Sequence, residues 1–533
     1  MSKKEKLFDV LIVGAGPVGL TLANILANLN IKVGIFEKKC STAQEPRAVS
    51  IDDESLRIVQ SFGLHHKVCE NISENYGSHY YDHKGKLFVK VAPKSFENGF
   101  FKRNAFDQPQ FEKLLRENLT KTYSNFVKFN FELVSLKNFE KNVEATFMDS
   151  KNKLAVFSSR YVIGCDGAQS TVRKLLNINM AGTSFSERWL IVDLFKTKNY
   201  FRDTQVFCNP DRPSITLPGP KGIRRYEFML KKDERDESYD ESFVRSLLKK
   251  VGPDKTSPIR RNQVYQFHAR MASSWKIKSV FLAGDAAHLS PPFAGQGMNS
   301  GIRDIGNLGW KLAFAIKIKS HKKILETYEL ERRKHAWALI KTAITMGKIM
   351  MPKNYFSSLL TRSFFQLLHF NKRALSYVSE MRYRPKPKIE KGFIFLSGKE
   401  TIKEKKLIGT LFPQPLLEQS SKDNIFLDEV LGNNFSLIYY SEPKNFDLKP
   451  FANTNSIKGS LKPILIVPQS YNTFPSKFKV FRDINNTLGQ ANIRTLTNKV
   501  FLLRPDKYIA AVSSPQNLSY LIDFINKSQI FRF

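Results

Sequence analysis

Three stretches of the 533-residue chain put glycines and acids at spacings that suit a ligand better than a core. In Gly14-Ala-Gly-Pro-Val-Gly19, Gly14 makes a tight turn, Gly16 lets backbone approach a pyrophosphate, and Gly19 lets a helix pack on a strand. Glu37, closing the next apolar run, can hold the two hydroxyls of an adenosine ribose. In the second stretch an apolar run from Tyr161 ends at Asp166-Gly167, and Ser170 caps the turn that carries Val172 and Arg173. In the third, Val280-Phe-Leu-Ala283 stops at Gly284-Asp285, and beyond Pro291-Pro292 the glycines Gly295 and Gly297 admit a flat or anionic ligand. A helix opening there directs unpaired N–H groups and its positive end at that ligand. Asp285, at a strand's carboxyl end, is placed to accept hydrogen bonds from sugar-like hydroxyls.

Apolar periodicity supplies the elements that must position these residues. Val10–Val13, a helix ending near Asn30 and Ile31–Phe36 form a β-α-β unit over residues 8–37. Ile302, Ile305, Leu308 and Leu312 recur at helical spacing after the third stretch, and another helix begins near Leu325. A helix starts at or just after Pro109, burying Phe111, Leu114 and Leu115, with Glu112 and Arg116 as an i, i+4 pair. Residues 60–100 carry amphipathic fragments and a hairpin around Asp82–Gly85. Between 180 and 275, the short runs Leu190–Asp193, Thr204–Phe207, Ser214–Leu217, Arg225–Leu230 and Val264–Phe267 suit an antiparallel sheet. Past a basic linker at Arg382–Lys388, the runs Pro463–Val467, Phe478–Phe481 and Tyr508–Val512 read as strands of a final block.

Lys and Arg number 84 against 49 Asp and Glu, a formal net charge of +35, which invites a nucleic-acid or anionic-membrane reading. The basic residues are scattered rather than gathered in a tail, and no zinc-finger or aromatic-glycine RNA-binding signature is present, so no nucleic-acid partner is expected. Cys40, Cys69, Cys165 and Cys208 are widely spaced and form no Cys-x-x-Cys pair, which argues against a disulfide scaffold or a structural metal. The chain runs from Met1 almost directly into a strand, and no apolar run reaches membrane-spanning length. A cytoplasmic protein without a membrane span is expected, with peripheral membrane contact left open.

The run Gly284-Asp-Ala-Ala-His-Leu-Ser-Pro-Pro-Phe-Ala-Gly-Gln-Gly-Met-Asn-Ser-Gly-Ile-Arg-Asp304, with the two other stretches in the right order, resembles the motifs of the single-component FAD-dependent aromatic hydroxylases. It looks most like their 3-(3-hydroxyphenyl)propionate hydroxylase and phenol hydroxylase branch. The resemblance implies an α/β fold in which a Rossmann-like FAD domain, residues 1–179 and 276–400, is interleaved with an antiparallel substrate sheet, residues 180–275. A thioredoxin-like domain without redox cysteines follows over 401–533. It implies FAD bound by Gly14, Gly16, Gly19, Glu37, Lys38, Arg47, Gln108, Asp166, Arg173, Asp285, Pro292, Gly295, Gly297, Met298 and Asn299, with no metal.

The same resemblance implies that NADPH or NADH visits transiently to reduce FAD, and that O₂ gives a C4a-hydroperoxide which hydroxylates a small, electron-rich aromatic substrate. A homodimer is compatible with it. Asp52 stands where phenol-hydroxylating relatives carry a proton-accepting carboxylate, although a surface or helix-cap role accounts for it equally. His268 is either a hydrogen-bonded sheet residue or part of a proton relay, and Pro292 lies against the flavin. His288 supports its loop. Arg224, Arg225 and Arg270 are candidate partners for a substrate carboxylate. An FAD-dependent oxidoreductase or epoxidase on the same scaffold, and a basic nucleic-acid-binding or scaffold protein without turnover, are the competing readings.

Overall fold

The computed structural model describes residues 8–122, 126–234, 239–318, 322–398, 400–418, 424–441, 463–470, 480–491, 493 and 498–527. Its first sheet is built around five parallel strands: β1 (Phe8–Val13), β2 (Val33–Glu37), β8 (Phe126–Phe129), β11 (Leu154–Gly164) and β18 (Val280–Leu282), in the order β18-β11-β1-β2-β8. Short antiparallel β17 (Lys276–Ile277) extends one edge, and β9 (Phe131–Asn138) and β10 (Val143–Asp149) pair onto β11 as an antiparallel arm. Central strands covered on both faces read as continuous apolar runs, which is why Val10 to Ile12, Val162, Ile163 and Val280 to Leu282 are fully buried. The order places β1, β11 and β18 side by side although they lie far apart in sequence. Their carboxyl ends therefore bring Gly14, Asp166 and Asp285 to one crevice, the position at which open parallel sheets take ligands.

The second sheet has the order β19-β16-β12-β15-β14-β13-β5-β6, with β12 (Met180–Leu194), β13 (Thr204–Phe207), β14 (Ser214–Pro218), β15 (Arg224–Met229), β16 (Ile259–Ala272) and β19 (His288–Leu289). It is antiparallel apart from the pairing of β13 with β5. The hairpin β5 (Ser78–Tyr81) and β6 (Leu87–Val91), turning through the expected Asp82–Gly85 segment, comes from outside residues 180–275. The boundary expected from sequence is thus corrected: β13 would otherwise leave an open edge, and the earlier hairpin covers it.

A small sheet, β3 (Ser50–Ile51), β7 (Asn104–Phe106) and β4 (Ile72–Ser73), sits between these two. The last block holds β20 (Leu416–Glu418), β21 (Asn424–Phe426), β22 (Ser436–Tyr440), β23 (Pro463–Val467), β24 (Val480–Asp483), β25 (Lys499–Leu503) and β26 (Ile509–Ser513). Their order is β21-β20-β24-β23-β22-β25-β26, with β22, β23 and β24 parallel. Of the expected strand Phe478–Phe481, residues 478 and 479 lie outside the described residues.

This block docks through buried charge. Arg57 is bidentate on Asp428 at 2.7 and 2.8 Å, and Glu331 lies between Lys311 at 2.7 Å and Arg504 at 2.8 Å. The rings of Phe393 and Phe435 meet Trp310 edge-on, and Phe435, Leu437 and Tyr439 join the same core as β1 and β11. Among the described residues no helix is long and apolar enough to cross a membrane.

Candidate active site

The turn after β1 behaves as its glycines require. Gly14 has φ +104° and a Cβ there would lie 2.4 Å from the Cys165 carbonyl oxygen; a Cβ on Gly19 would lie 2.0 Å from the Gly14 oxygen. A Cβ on Gly16 would meet nothing within 4 Å, so this position faces open space. The helix Pro17–Asn28 starts at Gly16 without a side-chain cap, leaving its first N–H groups for a ligand. Glu37 at the end of β2 accepts from Ala15 N at 2.9 Å and Lys39 N at 3.0 Å, which fixes its carboxylate beside the turn. Lys38 is exposed.

Arg47 is presented by a loop held from two sides. Gln108 Oε1 accepts from Arg47 N at 2.9 Å and Ala48 N at 2.8 Å, while its amide donates to Glu112 at 2.7 Å. Glu112, pushed up to about 7 by burial, also accepts from Ala43 N at 2.7 Å. From the substrate sheet, Arg225 donates to the carbonyls of Pro46 at 2.6 Å and Arg47 at 2.7 Å and is clamped by Asp193 at 2.7 Å. Arg261 binds the same Asp193 at 2.7 Å. Against burial, which would raise it, these two guanidiniums hold the Asp193 carboxyl low. The Arg47 side chain is exposed, forms no ion pair with the described residues, and lies within electrostatic reach of Asp285.

At the second motif, Asp166 Oδ2 accepts from Val172 N at 3.0 Å while its Oδ1 is buried without a partner. Burial raises its pKa. Arg173 donates to Ala286 O at 3.0 Å and Ala168 O at 2.8 Å, so its role is to tie the second motif to the third. Asp285 opens to the crevice, yet the protein around it is dense enough to push its carboxyl up. His288 and Asp304 are 2.7 Å apart and buried, and Asp304 also binds Arg332 at 3.1 Å and Gly284 N at 3.1 Å; His288 supports the loop, as expected.

Pro292, which is exposed, opens a turn closed by Gly295 N to Pro292 O at 2.8 Å, with Gly295 left-handed at φ +61°. The helix Gly297–Lys317 follows, again without a side-chain cap. Met298 packs against the main core. Asn299 is fully buried: it donates to Ser50 O at 3.0 Å and Gly295 O at 2.8 Å, and accepts from Asp52 N at 3.1 Å and Ser55 Oγ at 2.8 Å. Its side chain stitches the loop to β3, so a cofactor would meet its backbone.

Two expected reactive side chains are placed elsewhere. Asp52 caps the helix Asp53–Gln60 through Ser55 N at 2.9 Å and pairs with Arg303 and, at 2.6 Å, with Arg384. Burial would raise its pKa, but the two guanidiniums hold it down at about 2, so it is a poor acceptor for a phenol proton. His268 lies on the outer face of β16, opposite Phe267, with Nδ1 2.9 Å from Ser184 Oγ. Arg270 donates to the same hydroxyl at 2.7 Å, and Arg224 is spent on Thr216, Asn199 and Phe201. Arg224 and Arg225 thus have engaged guanidiniums, and Arg270 shares the outer face with His268, its Nε buried without a partner.

The inner face of the sheet carries Trp189, Ile191, Ile215, Tyr265 and Phe267, and Phe293 of the flavin-type loop meets Phe185, Trp189 and Phe267 at ring distances of 5.9, 5.9 and 5.6 Å. On this face Glu227, paired across strands with Ile191 and Ile215, is buried; burial pushes its carboxyl up to about 7 although Arg225 lies 3.9 Å away. Glu227 lies within the run Arg225–Leu230 read as a strand, and the period-2 face it shares with Ile215 and Ile191 is the signal that could have singled it out.

An open glycine cradle, two uncapped helix starts, an unpaired arginine, an outward-facing Asp285 and an orphaned Asp166 oxygen fit FAD lying along the crevice under an aromatic-lined sheet. Residues 7–343 match the family model described as FAD binding domain, and residues 409–528 match the model described as HcaD C-terminal domain. The fold and site define a single-component FAD-dependent aromatic monooxygenase. The chain belongs to the FAD-binding family, and FAD is its cofactor.

Its relatives include a 3-(3-hydroxy-phenyl)propionate/3-hydroxycinnamic acid hydroxylase of Mycolicibacterium gilvum (strain PYR-GCK), 35% identical over 95% of this chain and 89% of that protein. One of the same name from Klebsiella pneumoniae subsp. pneumoniae is 31% identical over 96% of this chain and 92% of its own. Among solved structures, the flavin-dependent monooxygenase PieE in complex with FAD and substrate is similar with a TM-score of 0.80 at 18% identity, covering 98% of this chain and 99% of that one. Aklavinone-11 hydroxylase with FAD and aklavinone gives 0.74 at 18% identity, covering 98% and 99%. At such identities the structures speak to the fold.

Proposed function

We propose that this protein uses NAD(P)H and O₂ to hydroxylate a phenolic acid of the 3-(3-hydroxyphenyl)propionate type. The observation that carries the reading is the convergence of three flavin motifs on one crevice roofed by the aromatic inner face of the second sheet, in a chain whose relatives bear that substrate in their names. In balance, the phenol gains one oxygen atom, NAD(P)H gives two electrons, and the second oxygen atom leaves as water. Bound in the crevice, FAD would supply the redox chemistry and the activation of O₂.

The chain's own part is to bind and orient. Gly16, Arg47 and the helix start at Pro17 would receive the pyrophosphate, Glu37 and Asp285 would receive hydroxyls, and backbone from Pro292 to Gly297 would face the ring system. Asp52 sets Arg303 and Arg384 rather than exchanging a proton. Glu227 is the inner-face carboxyl suited to hold a phenol proton near neutral pH. Stopped-flow reduction of the bound flavin tests the reading: 3-(3-hydroxyphenyl)propionate should accelerate reduction by NAD(P)H, and a rate indifferent to every phenol offered would refute it.

A further inference from the structure

Arg103 precedes β7, which pairs with β3 beside the flavin-type loop: β3 residue Ser50 is 3.5 Å from where a Gly295 Cβ would stand. Its guanidinium crosses from the FAD domain to the first strand of the substrate-sheet hairpin, where it donates to Ser78 Oγ. The ring of Tyr76 lies beneath it at 4.3 Å, and Tyr80 and Tyr383 are within electrostatic reach. Ser78, Tyr76 and Tyr80 are buried, whereas Arg103 and Tyr383 are half-buried and keep a solvent-accessible side. The hydroxyl of Tyr76 is buried without a partner.

Most other enclosed guanidiniums have their charge answered by a carboxylate, and Arg173 and Arg224, which do not, spread their N–H groups over several carbonyl and hydroxyl acceptors. Arg57 pairs with Asp428, Arg225 and Arg261 with Asp193, Arg303 with Asp52 and Glu54, and Arg504 with Glu331. Among the described residues no carboxylate lies within ion-pair distance of Arg103; Ser78 accepts from one of its five N–H donors and the Tyr76 hydroxyl lies beside the guanidinium. A half-buried guanidinium with most of its fork unused and a solvent-accessible side is free to take an anionic ligand.

We infer that Arg103 is the residue that recognises the carboxylate of the substrate, with Tyr76, Tyr80 and Tyr383 walling that end of the pocket. This rests on the proposed hydroxylation of an aryl acid. It replaces Arg224 and Arg225, whose guanidiniums are already engaged, and Arg270, which shares Ser184 with His268 on the outer face of β16. A planar fork binding a carboxylate through two charge-assisted hydrogen bonds also fixes the direction in which the aromatic ring points, which sets the carbon presented for oxidation.

The test is a calorimetric titration of the FAD-loaded full chain with 3-(3-hydroxyphenyl)propionate and with its uncharged carboxamide, repeated on Arg103→Met and Arg103→Lys. The unmodified protein should prefer the acid by on the order of 10- to 100-fold, Arg103→Met should bring the ratio to within about threefold, and Arg103→Lys should fall between. No preference in the unmodified protein, or a preference unchanged in Arg103→Met, overturns the inference. If Arg103→Met does not fold, the comparison of acid with carboxamide on the unmodified protein and on Arg103→Lys still decides. A strong, Arg103-dependent preference without hydroxylated product would uphold the inference and refute hydroxylation; product formation with equal binding of acid and amide would do the reverse.

Discussion

The helix Gly297–Lys317 joins two regions with opposite construction. Its first turn follows left-handed Gly295, has no side-chain cap, and opens beside a Gly297 position with nothing within 4 Å of a would-be Cβ. Its second half is saturated: Lys311 Nζ binds Asn307 at 2.8 Å and Glu331 at 2.7 Å, and Glu331 takes Arg504 from the last domain. At the crevice end the chain leaves backbone donors for a ligand to satisfy. At the docking end Lys311, Glu331 and Arg504 answer one another's charge, and Glu331, held down by Arg504 and Lys311 against its burial, stays ionised. A site that must accept a cofactor and a site that must exclude everything else are thus distinguished by polar saturation more than by shape.

Substitutions at the two ends should therefore fail in different ways. The largest effect is expected at the crevice: Gly16→Val has room within the protein but fills the pyrophosphate path, so the variant should unfold near the parent temperature in its cofactor-free form yet retain under one hundredth of the parent's affinity for FAD, roughly the loss of several hydrogen bonds to a charged group. Absorbance of the bound flavin and calorimetry would read both quantities. Gly14→Val, whose Cβ collides with the Cys165 carbonyl, should instead lose stability with or without FAD.

At the docking end, Glu331→Gln leaves Lys311 and Arg504 without their common counter-charge and should cost about 3–5 kcal/mol in denaturant unfolding, while the crevice keeps its glycine geometry. A cost below about 1 kcal/mol would show that the saturation described above is not what holds the last domain.

These contrasts also explain what could be read from the chain. The crevice was legible because its determinants are local: each motif is a strand, a tight turn and a helix start within about twenty residues, so Gly14, Gly16, Glu37, Asp166 and Asp285 announce themselves by spacing. Strand runs in the second sheet were legible for the same reason, but the recruitment of Ser78–Val91 was not, since pairing of β5 with β13 spans more than a hundred residues. Arg384, 332 positions from Asp52, reads in the sequence only as part of a basic linker, and its contact changes Asp52 from a candidate base into a pinned anion. For His268 a hydrogen-bonded sheet role and a relay role stayed open because its motif does not say which face of β16 it occupies; Phe267, edge-on to Phe293, does, and His268 is hydrogen-bonded to Ser184 on the other face.

The inner face of the sheet provides an intermediate effect. Glu227→Gln should lower kcat about a hundredfold and abolish the limb of the pH profile near 7, because the amide cannot take a proton. Retention of that limb would move the proton-holding role elsewhere.

A smaller effect is expected at Asp53, buried beside Asp52 and 3.9 Å from Arg384. Burial, with the neighbouring acids, raises its carboxyl from 3.8 to about 6. The folded state then binds the more protons between these values, so stability from this group is lost as pH rises through the window. Asp53→Asn should be more stable than the parent by about 2–3 kcal/mol at pH 8 and nearly equal to it at pH 3. Equal melting at both pH values would show that Asp53 is not strained by ionisation.

The central claim is tested most directly by supplying 3-(3-hydroxyphenyl)propionate and NAD(P)H to the FAD-loaded protein under isotopically labelled O₂ and weighing the product by mass spectrometry. One labelled oxygen atom per aromatic product, formed as NAD(P)H is consumed, is the predicted result. A product whose new oxygen is unlabelled, or one oxidised without gaining oxygen, would contradict the account.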